Sequence, residues 1–264
     1  MPYRIDISCP PTDALDVLVQ LGALDIEPVS GGLAAIIPDG VKLDVVTGAL
    51  GGASITFSAA DARDEGSVWL LSPRAVRIGG LLIAPSQAAA SSPDTLILRD
   101  SPAFGTGHHP TTALCVEALE EILTVERPDS VLDVGTGSGI LALAALKMGV
   151  RQAVGLDVDA DALRVAAENA RLNHLADRLQ LVLGGPDVVD GNWPLVVANV
   201  LAAPLIEMAP VMVRRLSGRG RLILSGIPWS LESEVRQAYQ HLGIRHVRSN
   251  TRSGWTVLVA EAPW

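Results

Sequence analysis

The chain has 264 residues, 48% of them hydrophobic, and a mean hydropathy of +0.34, so it can bury one substantial core and still build a small second domain. Its formal net charge of −9 and pI near 5.0 argue against direct nucleic-acid binding, which needs clustered Lys and Arg, and favour a basic partner. No apolar stretch approaches the roughly 20 residues of a membrane helix, and charges stand where a secretory signal needs an apolar core, so we expect a cytoplasmic protein without a membrane partner.

Residues 1–61 carry the periodicities of a small α+β domain. Strand and helix patterns follow one another in the order β-α-β-β-α-β, with a turn at residues 30–32, which predicts a ferredoxin-like domain. This stretch holds two basic residues against eight acidic ones, which would suit a basic protein partner or serve only solubility. Residues 62–100 are interpreted as a linker with lead-in strands, and residues 101–264 as the second domain.

From residue 111 onward, helix and strand patterns alternate, and the strand patterns are almost continuously apolar. Such strands are typical of a parallel sheet that is covered by helices on both faces. The pattern predicts an α/β fold with a doubly wound, mostly parallel, seven-stranded Rossmann-like sheet, whose last two strands form a closing hairpin. The predicted strands are Ser130–Val134, Ala153–Val158, Leu179–Leu183, Leu195–Asn199, Arg221–Ser225, Ile244–Arg248 and Trp255–Glu261.

A glycine-rich loop follows the first strand of this sheet. The segment Val131–Ile140 runs from the apolar strand into Gly-Thr-Gly-Ser-Gly and then into a helix pattern. Glycines allow a tight turn and the close approach of a ligand, and open α/β sheets bind ligands at the carboxyl ends of their strands. Asp157 ends the second strand, where a carboxylate can accept hydrogen bonds from a ribose diol.

The loop favours S-adenosylmethionine over a nicotinamide cofactor. A dinucleotide loop has the spacing G-x-G-x-x-G, with a pyrophosphate on the helix N-terminus, whereas Gly135 and Gly137 belong to a G-x-G-x-G pattern. Asp133 would repel a pyrophosphate but would suit a cationic ligand, directly or through water. A third interpretation, a tight turn without a ligand, leaves the position of Asp157 unexplained.

Two further stretches carry a resemblance to a known family. They are residues 101–112, Ser-Pro-Ala-Phe-Gly-Thr-Gly-His-His-Pro-Thr-Thr, and residues 196–206, which contain Ala-Asn-Val after the fourth strand. Together with the glycine loop they resemble the ribosomal protein L11 methyltransferases over about residues 95–264. The first 95 residues match in pattern rather than in motif, and Leu98-Arg-Asp-Ser-Pro stands where the family usually has Asp-Pro-Gly.

The resemblance implies roles for particular residues. Thr112, Gly135, Asp157 and Asn199 would contact the methyl donor, and Gly137 would leave room for it. Phe104, Thr106 and Gly107 would belong to a loop that covers the donor. The small domain over residues 1–61 would recognise the ribosomal protein.

Two of these residues also have a bland interpretation. Thr112 could be an ordinary N-cap at a helix start, and Asn199 could be a satisfied polar residue that ends a strand. His108 and His109 are adjacent and lack a Cys or acidic cluster, and Cys9 and Cys115 are far apart, so we predict neither a metal site nor a disulfide. His109 is interpreted as orienting the covering loop.

The predicted activity is methyl transfer from S-adenosylmethionine to lysine side chains and/or the N-terminal amine of ribosomal protein L11. Asn199 is the predicted catalytic residue, because its amide would lie beside the reacting methyl. Asn199-Val-Leu-Ala lacks the Pro-Pro-aromatic sequence that many amino-directed methyltransferases carry at this point. The lack of a stacking aromatic argues against adenine or glutamine as substrate. The alternatives are an enzyme for lysine in another protein or for a small amine, and a non-catalytic protein that binds the donor.

Overall fold

The computed structural model describes residues 1–64, 68–86, 92–99 and 105–264. The chain divides into two compact units, Met1–Pro73 and Arg74–Trp264. Neither unit, in the part of the chain that the structure describes, contains a helix long and apolar enough to cross a membrane.

The first unit is a four-stranded antiparallel sheet with two helices. Its strands lie in the order β2-β3-β1-β4, and the apolar side chains of β1 and β3 pack against both helices in a buried core. Alternation places Ile5 and Ile7 on this core face and Arg4 and Asp6 on the other. The elements are β1 (Tyr3–Ser8), α1 (Ala14–Gln20), β2 (Asp25–Val29), β3 (Gly32–Ile37), α2 (Leu43–Ala49) and β4 (Ser54–Ala59).

The segment after β4 is bound to the same sheet. It contains the short antiparallel pair β5 (Ala62–Arg63) and β6 (Val68–Trp69). The backbone amide of Leu71 donates to the Asp25 carboxylate at 2.9 Å, and the Ser72 hydroxyl donates to Glu27 at 2.8 Å. These bonds to β2 explain why the first compact unit extends to Pro73 rather than ending at the last strand of its sheet.

The second unit begins with a small three-stranded sheet. β7 (Val76–Ile78) and β8 (Leu81–Pro85) form an antiparallel hairpin, and β9 (Thr95–Leu98) pairs in parallel with β8. Apolar side chains from all three strands join the core under the helices that follow. This sheet therefore belongs to the core of the second unit.

The main sheet has seven strands in the order β12-β11-β10-β13-β14-β16-β15. β12, β11, β10, β13 and β14 are parallel, whereas β16 and β15 are antiparallel to their neighbours, so the sheet is mixed. The elements are α3 (Pro110–Val125), β10 (Ser130–Val134), α4 (Ile140–Lys147), β11 (Gln152–Asp157), α5 (Ala160–Leu172), β12 (Leu179–Leu183), β13 (Trp193–Asn199), α6 (Ala202–Arg214), β14 (Leu216–Pro228), α7 (Glu232–His241), β15 (Val247–Arg252) and β16 (Trp255–Glu261).

Helices cover both faces of this sheet, which confirms the predicted α/β class. Val131 and Val197 point into the core on the side of α3 and α4, and their neighbours Leu132 and Val196 point into the core on the side of α6 and α7. Because both faces are buried, most successive residues of a central strand are apolar, and the buried Asp133 of β10 is an exception. This packing accounts for the near-continuous apolar runs in the sequence.

The closing hairpin is confirmed, but the bounds predicted for its first strand are wrong. The sequence predicts Ile244–Arg248, whereas the strand is β15, Val247–Arg252, and it pairs with β16 up to Arg252 opposite Trp255. β15 is an edge strand made mostly of exposed polar residues. Arg248 and Arg252 form ion pairs with glutamates of α3. A strand of this composition has no apolar run from which its bounds could be predicted.

Candidate functional site

The candidate site lies where the strand order of the main sheet reverses. The chain runs outward from β10 through β11 to β12, and then returns to β13 on the other side of β10. Open α/β sheets bind ligands in the crevice outside the carboxyl ends of the strands at such a point. Gly135 follows the carboxyl end of β10, and Asn199 is the last residue of β13. The topology therefore brings the two predicted site residues together.

The glycine loop depends on positive backbone angles. Gly135, Gly137 and Gly139 have φ values of 72°, 54° and 82°, a region that favours glycine. A Cβ on Gly135 would lie 2.3 Å from a methyl group of Val200, so the residue after Asn199 packs directly against the loop. The backbone amides of Gly135 and Thr136 both donate to the Leu156 carbonyl at 2.8 Å, which fixes the loop against β11.

Asp157 ends β11 beside this loop. One carboxylate oxygen accepts the amide of Gly137 at 2.8 Å, and the other accepts the amide of Asp159 at 3.0 Å. Each oxygen retains a second lone pair for a ligand hydroxyl. The carboxylate therefore joins the ends of two strands and still has acceptor capacity for the predicted ribose contact.

Asp133 lies behind the loop and is fully buried. One of its oxygens accepts the Thr136 hydroxyl at 2.7 Å and the Ala142 amide at 3.1 Å, and the other has no hydrogen-bond partner among the described residues. Burial, together with the nearby charge of Asp157, raises the pKa of this carboxyl to about 6, against the opposing effect of the two hydrogen bonds. These hydrogen bonds tie the strand, the loop and the start of α4 together.

Asn199 presents an amide oxygen that is buried and unpaired within the described part of the chain. It lies in register with Ser225 of β14, and the backbone turns away at Val200, whose amide donates to the Ser225 carbonyl at 3.1 Å. A satisfied polar residue that merely ends a strand would have a partner for this oxygen. The unpaired oxygen favours a ligand contact at Asn199, which stays a prediction.

Thr112 is also not an ordinary N-cap. His109 caps α3 and accepts the amide and hydroxyl of Thr111, at 3.3 Å and 2.6 Å from its Nδ1 atom. Thr112 lies inside the first turn, fully buried, and its hydroxyl has no partner among the described residues. The His109 ring also packs edge-on against Trp255, with ring centroids 5.0 Å apart. His109 thus fixes the helix start that carries Thr112.

The segment before α3 reaches the glycine loop at one described point. The Gly105 carbonyl accepts the Ser138 hydroxyl at 2.9 Å. Thr106 accepts the backbone amide of His108 at 3.4 Å, and a Cβ on Gly107 (φ 90°) would lie 3.1 Å from methyl groups of the β7–β8 hairpin. Phe104 lies outside the described residues.

Sequence reasoning missed three features of this site. Ser138 binds the segment before α3, and Asn169 of α5 donates to the Ser138 carbonyl at 2.8 Å. Val158, directly after Asp157, is 81% exposed at the same edge of the sheet. A buried Asn in an otherwise apolar helix face was the one sequence signal for the second feature. Among the described residues, no group of three His, Cys, Asp or Glu residues could hold a metal ion.

The family model described as ribosomal protein L11 methyltransferase (PrmA) matches residues 42–263. The ribosomal protein L11 methyltransferase of Geobacter sulfurreducens is 41% identical over 218 residues, 80% of this chain and 71% of that protein. The protein of the same name from Chromohalobacter salexigens is 41% identical over 214 residues, covering 79% and 70%.

A solved structure shows the same relationship. The crystal structure of ribosomal protein L11 methylase from Lactobacillus delbrueckii subsp. bulgaricus superposes with a TM-score of 0.65 at 29% identity, over 72% of this chain and 100% of that chain. The predicted resemblance is confirmed by the family match and by both relatives. The chain is an enzyme with the α/β methyltransferase fold, and it belongs to the ribosomal protein L11 methyltransferase family.

Proposed function

We propose that this enzyme transfers methyl groups from S-adenosylmethionine to amino groups of ribosomal protein L11, on lysine side chains and/or the N-terminal amine. The observation that carries the proposal is the buried, unpaired amide oxygen of Asn199 beside the glycine loop. A buried acceptor without a partner costs free energy unless a ligand donates to it. The names of the relatives support the identity of the substrate.

The residues present fit S-adenosylmethionine. Around the glycine loop, the buried polar atoms Thr112 Oγ1, one oxygen of Asp133 and Asn199 Oδ1 lack partners among the described residues. Asp157 has lone pairs for ribose hydroxyls, and the exposed side chain of Val158 next to it offers an apolar surface to a purine ring. When bound, S-adenosylmethionine supplies a methyl group that its sulfonium has activated.

The other contacts proposed for the donor follow the family resemblance. Gly135 and Gly137 leave room for the amino acid end of the donor against the backbone, and Thr106 and Gly107 belong to the segment that covers it. The negative charge of Asp133 lies behind the same loop. Because the carboxylate is buried in a region of low dielectric, it attracts a cationic ligand at short range.

Asn199 would orient the acceptor amine. Its amide oxygen accepts a hydrogen bond from the amine N–H, which directs the nitrogen lone pair toward the donor methyl and lowers the barrier through proximity. An ammonium has no lone pair, so the amine must first lose its proton. Activity therefore rises with pH, unless desolvation in the site lowers the pKa of the amine.

The N-terminal unit is proposed to be a ferredoxin-like domain that recognises the protein substrate, with residues 1–61 as its body and residues 101–264 as the catalytic domain. The predicted connection, residues 62–100, divides between the two compact units at Pro73. The strand order β2-β3-β1-β4 with two helices supports this topology. Exposed carboxylates at Asp16 and Asp44 on the two helices complement a lysine-rich protein rather than a nucleic acid. A ribosomal protein as substrate supports a reaction in the cytoplasm.

The test is methyl transfer from labelled S-adenosylmethionine to purified large-subunit ribosomal proteins. We expect label on L11 with the unaltered chain, and a loss of kcat of at least about 100-fold in Asn199→Ala. Asn250→Ala is the matched control, because Asn250 is an exposed asparagine of the edge strand β15. Donor binding without any label on L11 would refute the proposed substrate and leave the fold assignment unchanged.

Recognition by the N-terminal unit needs a separate test. The double variant Asp16→Lys, Asp44→Lys reverses two exposed charges and should raise the KM for L11 several-fold at low salt while the KM for the donor stays constant. Asp177→Lys is the control for net charge, because it reverses an exposed charge near the amino end of β12, whereas the candidate site lies at the carboxyl ends of the strands. An equal rise of the KM for L11 in the double variant and in Asp177→Lys would contradict a recognition role for the N-terminal unit.

A further inference from the structure

Two buried asparagines lie one turn apart on α5. Asn169 is fully buried, and Asn173, which caps the helix at its C-terminus, is nearly as buried. A buried amide is costly unless its oxygen and its NH₂ group both find partners. Both residues bind the segment at β9, and Asn169 binds the glycine loop as well.

Asn173 binds the backbone of β9 as a neighbouring strand would. Its Oδ1 atom accepts the Ile97 amide at 2.9 Å, and its Nδ2 atom donates to the Ile97 carbonyl at 2.6 Å. Within the described sheet β9 pairs on one side only, with β8. Asn173 therefore satisfies part of the open edge of β9 and attaches that strand to α5.

Asn169 continues this contact and extends it to the glycine loop. Its Oδ1 atom accepts the Arg99 amide, just after β9, at 2.7 Å, and its Nδ2 atom donates to the Ser138 carbonyl at 2.8 Å. Ser138 lies between Gly137 and Gly139, and its own hydroxyl donates to the Gly105 carbonyl. One amide thus joins the lead-in strand to the middle of the glycine loop.

We propose that Asn169 is a positioning residue that holds the glycine loop in the conformation that binds the methyl donor. The inference rests on the proposed function, because the loop is the proposed donor site. Three glycines with positive φ leave this loop with many alternative conformations. Donor affinity falls in proportion to the fraction of molecules with the correct loop, so a bond to the central Ser138 peptide raises that fraction.

The substitution Asn169→Asp separates the two contacts of this side chain. An ionised carboxylate has nearly the same shape and still accepts the Arg99 amide, but it cannot donate to Ser138 and repels that carbonyl. Asn173→Asp is the matched control. It removes the donor to the carbonyls of Ile97 and Asn169, and it leaves the bond from the Asn169 side chain to the glycine loop in place.

Amide hydrogen exchange, read by mass spectrometry on the full chain, tests the coupling without any ligand. Loss of one buried hydrogen bond should speed exchange over residues 135–142 by about tenfold in Asn169→Asp. Asn173→Asp should speed exchange over residues 95–99 and leave the glycine loop close to the unaltered rate. Equal exchange over residues 135–142 in the two variants would overturn the proposal, because it would show general loosening of α5.

Donor affinity provides the second readout. Titration calorimetry should give a Kd for S-adenosylmethionine that is about tenfold higher in Asn169→Asp and near the unaltered value in Asn173→Asp. In the methyl-transfer assay, kcat of Asn169→Asp at saturating donor should be unchanged. An unchanged Kd in Asn169→Asp, or a fall in kcat at constant Kd, would overturn the proposal. If the unaltered chain binds no S-adenosylmethionine, the proposed function fails, and the exchange comparison still decides whether Asn169 holds the loop.

Discussion

Gly226 controls the position of the backbone that follows Asn199. It has φ 82°, and a Cβ added there would lie 2.2 Å from the Val200 carbonyl oxygen. Gly254 has nearly the same backbone angle, φ 81°, and the nearest atom to its added Cβ is a Trp229 ring carbon at 3.8 Å. Gly226→Ala and Gly254→Ala therefore share the backbone strain and differ in the steric clash.

The two costs can be separated by size. An alanine in the left-handed region costs about 1–2 kcal/mol of unfolding free energy, and this applies to both variants. Tight Cβ contacts in proteins begin near 3.0 Å, so the Val200 carbonyl in Gly226→Ala has to retreat by about 1 Å, and such overpacking costs a further ~1–3 kcal/mol. For a unit of this size, each kcal/mol lowers the melting temperature by roughly 2–4 °C.

The same displacement should reach the site. Asn199 precedes the residue that has to move, and a misplacement of about 1 Å can lower turnover by ~100-fold. We expect kcat for methyl transfer to fall to that extent in Gly226→Ala and to stay near the unaltered value in Gly254→Ala. The assays are thermal unfolding and single-turnover transfer of labelled methyl. Equal losses of stability and of kcat in the two variants would refute the reasoning, since the clash would then have no effect.

Three other changes test particular contacts. Thr112→Val should leave stability unchanged, because its hydroxyl has no partner among the described residues, and it should weaken donor binding. Thr111→Val loses a 2.6 Å hydrogen bond and should cost about 1 kcal/mol of unfolding free energy without weakening donor binding. The reverse pattern would exclude a ligand role for the Thr112 hydroxyl. Asp133 keeps its proton to about pH 6 in the folded chain and loses it near pH 4 when unfolded, so its contribution to the unfolding free energy falls by roughly 3 kcal/mol as pH rises through that window. Asp133→Asn should remove this slope in urea titrations, and parallel slopes would contradict the assignment. Arg252→Ala breaks a half-exposed pair with Glu117 and should cost under about 1 kcal/mol, less at high salt; a larger, salt-independent loss would show that packing dominates there.

The sequence predicted those parts of the molecule whose signal is local. The glycine loop and Asp157 are separated by one helix, and the apolar strands on either side place both at the same edge of the sheet. The pairing of β10 with β13 brings Asn199 to this edge, and it could be anticipated only from the general rules of α/β sheets.

The remaining features depend on contacts that periodicity does not encode. Asn169 and Asn173 occupy buried positions of α5, where a pattern of apolar residues treats a polar side chain as an exception. Their partners, Ile97 and Arg99, lie about 70 residues earlier in the chain. The predicted bounds of β15 were wrong for a related reason. Its residues are mostly exposed, and they contact α3 through salt bridges rather than apolar packing.

The place of β16 in the sheet has a consequence for biosynthesis. This strand, Trp255–Glu261, lies between β14 and β15, so β14 has no partner on that side until the last strand has been synthesised. The first compact unit needs only residues 1–73 and can close early on the ribosome. The nascent second unit, in contrast, carries an apolar β14 edge that is open to wrong pairing from the synthesis of Pro228 until β16 has been made.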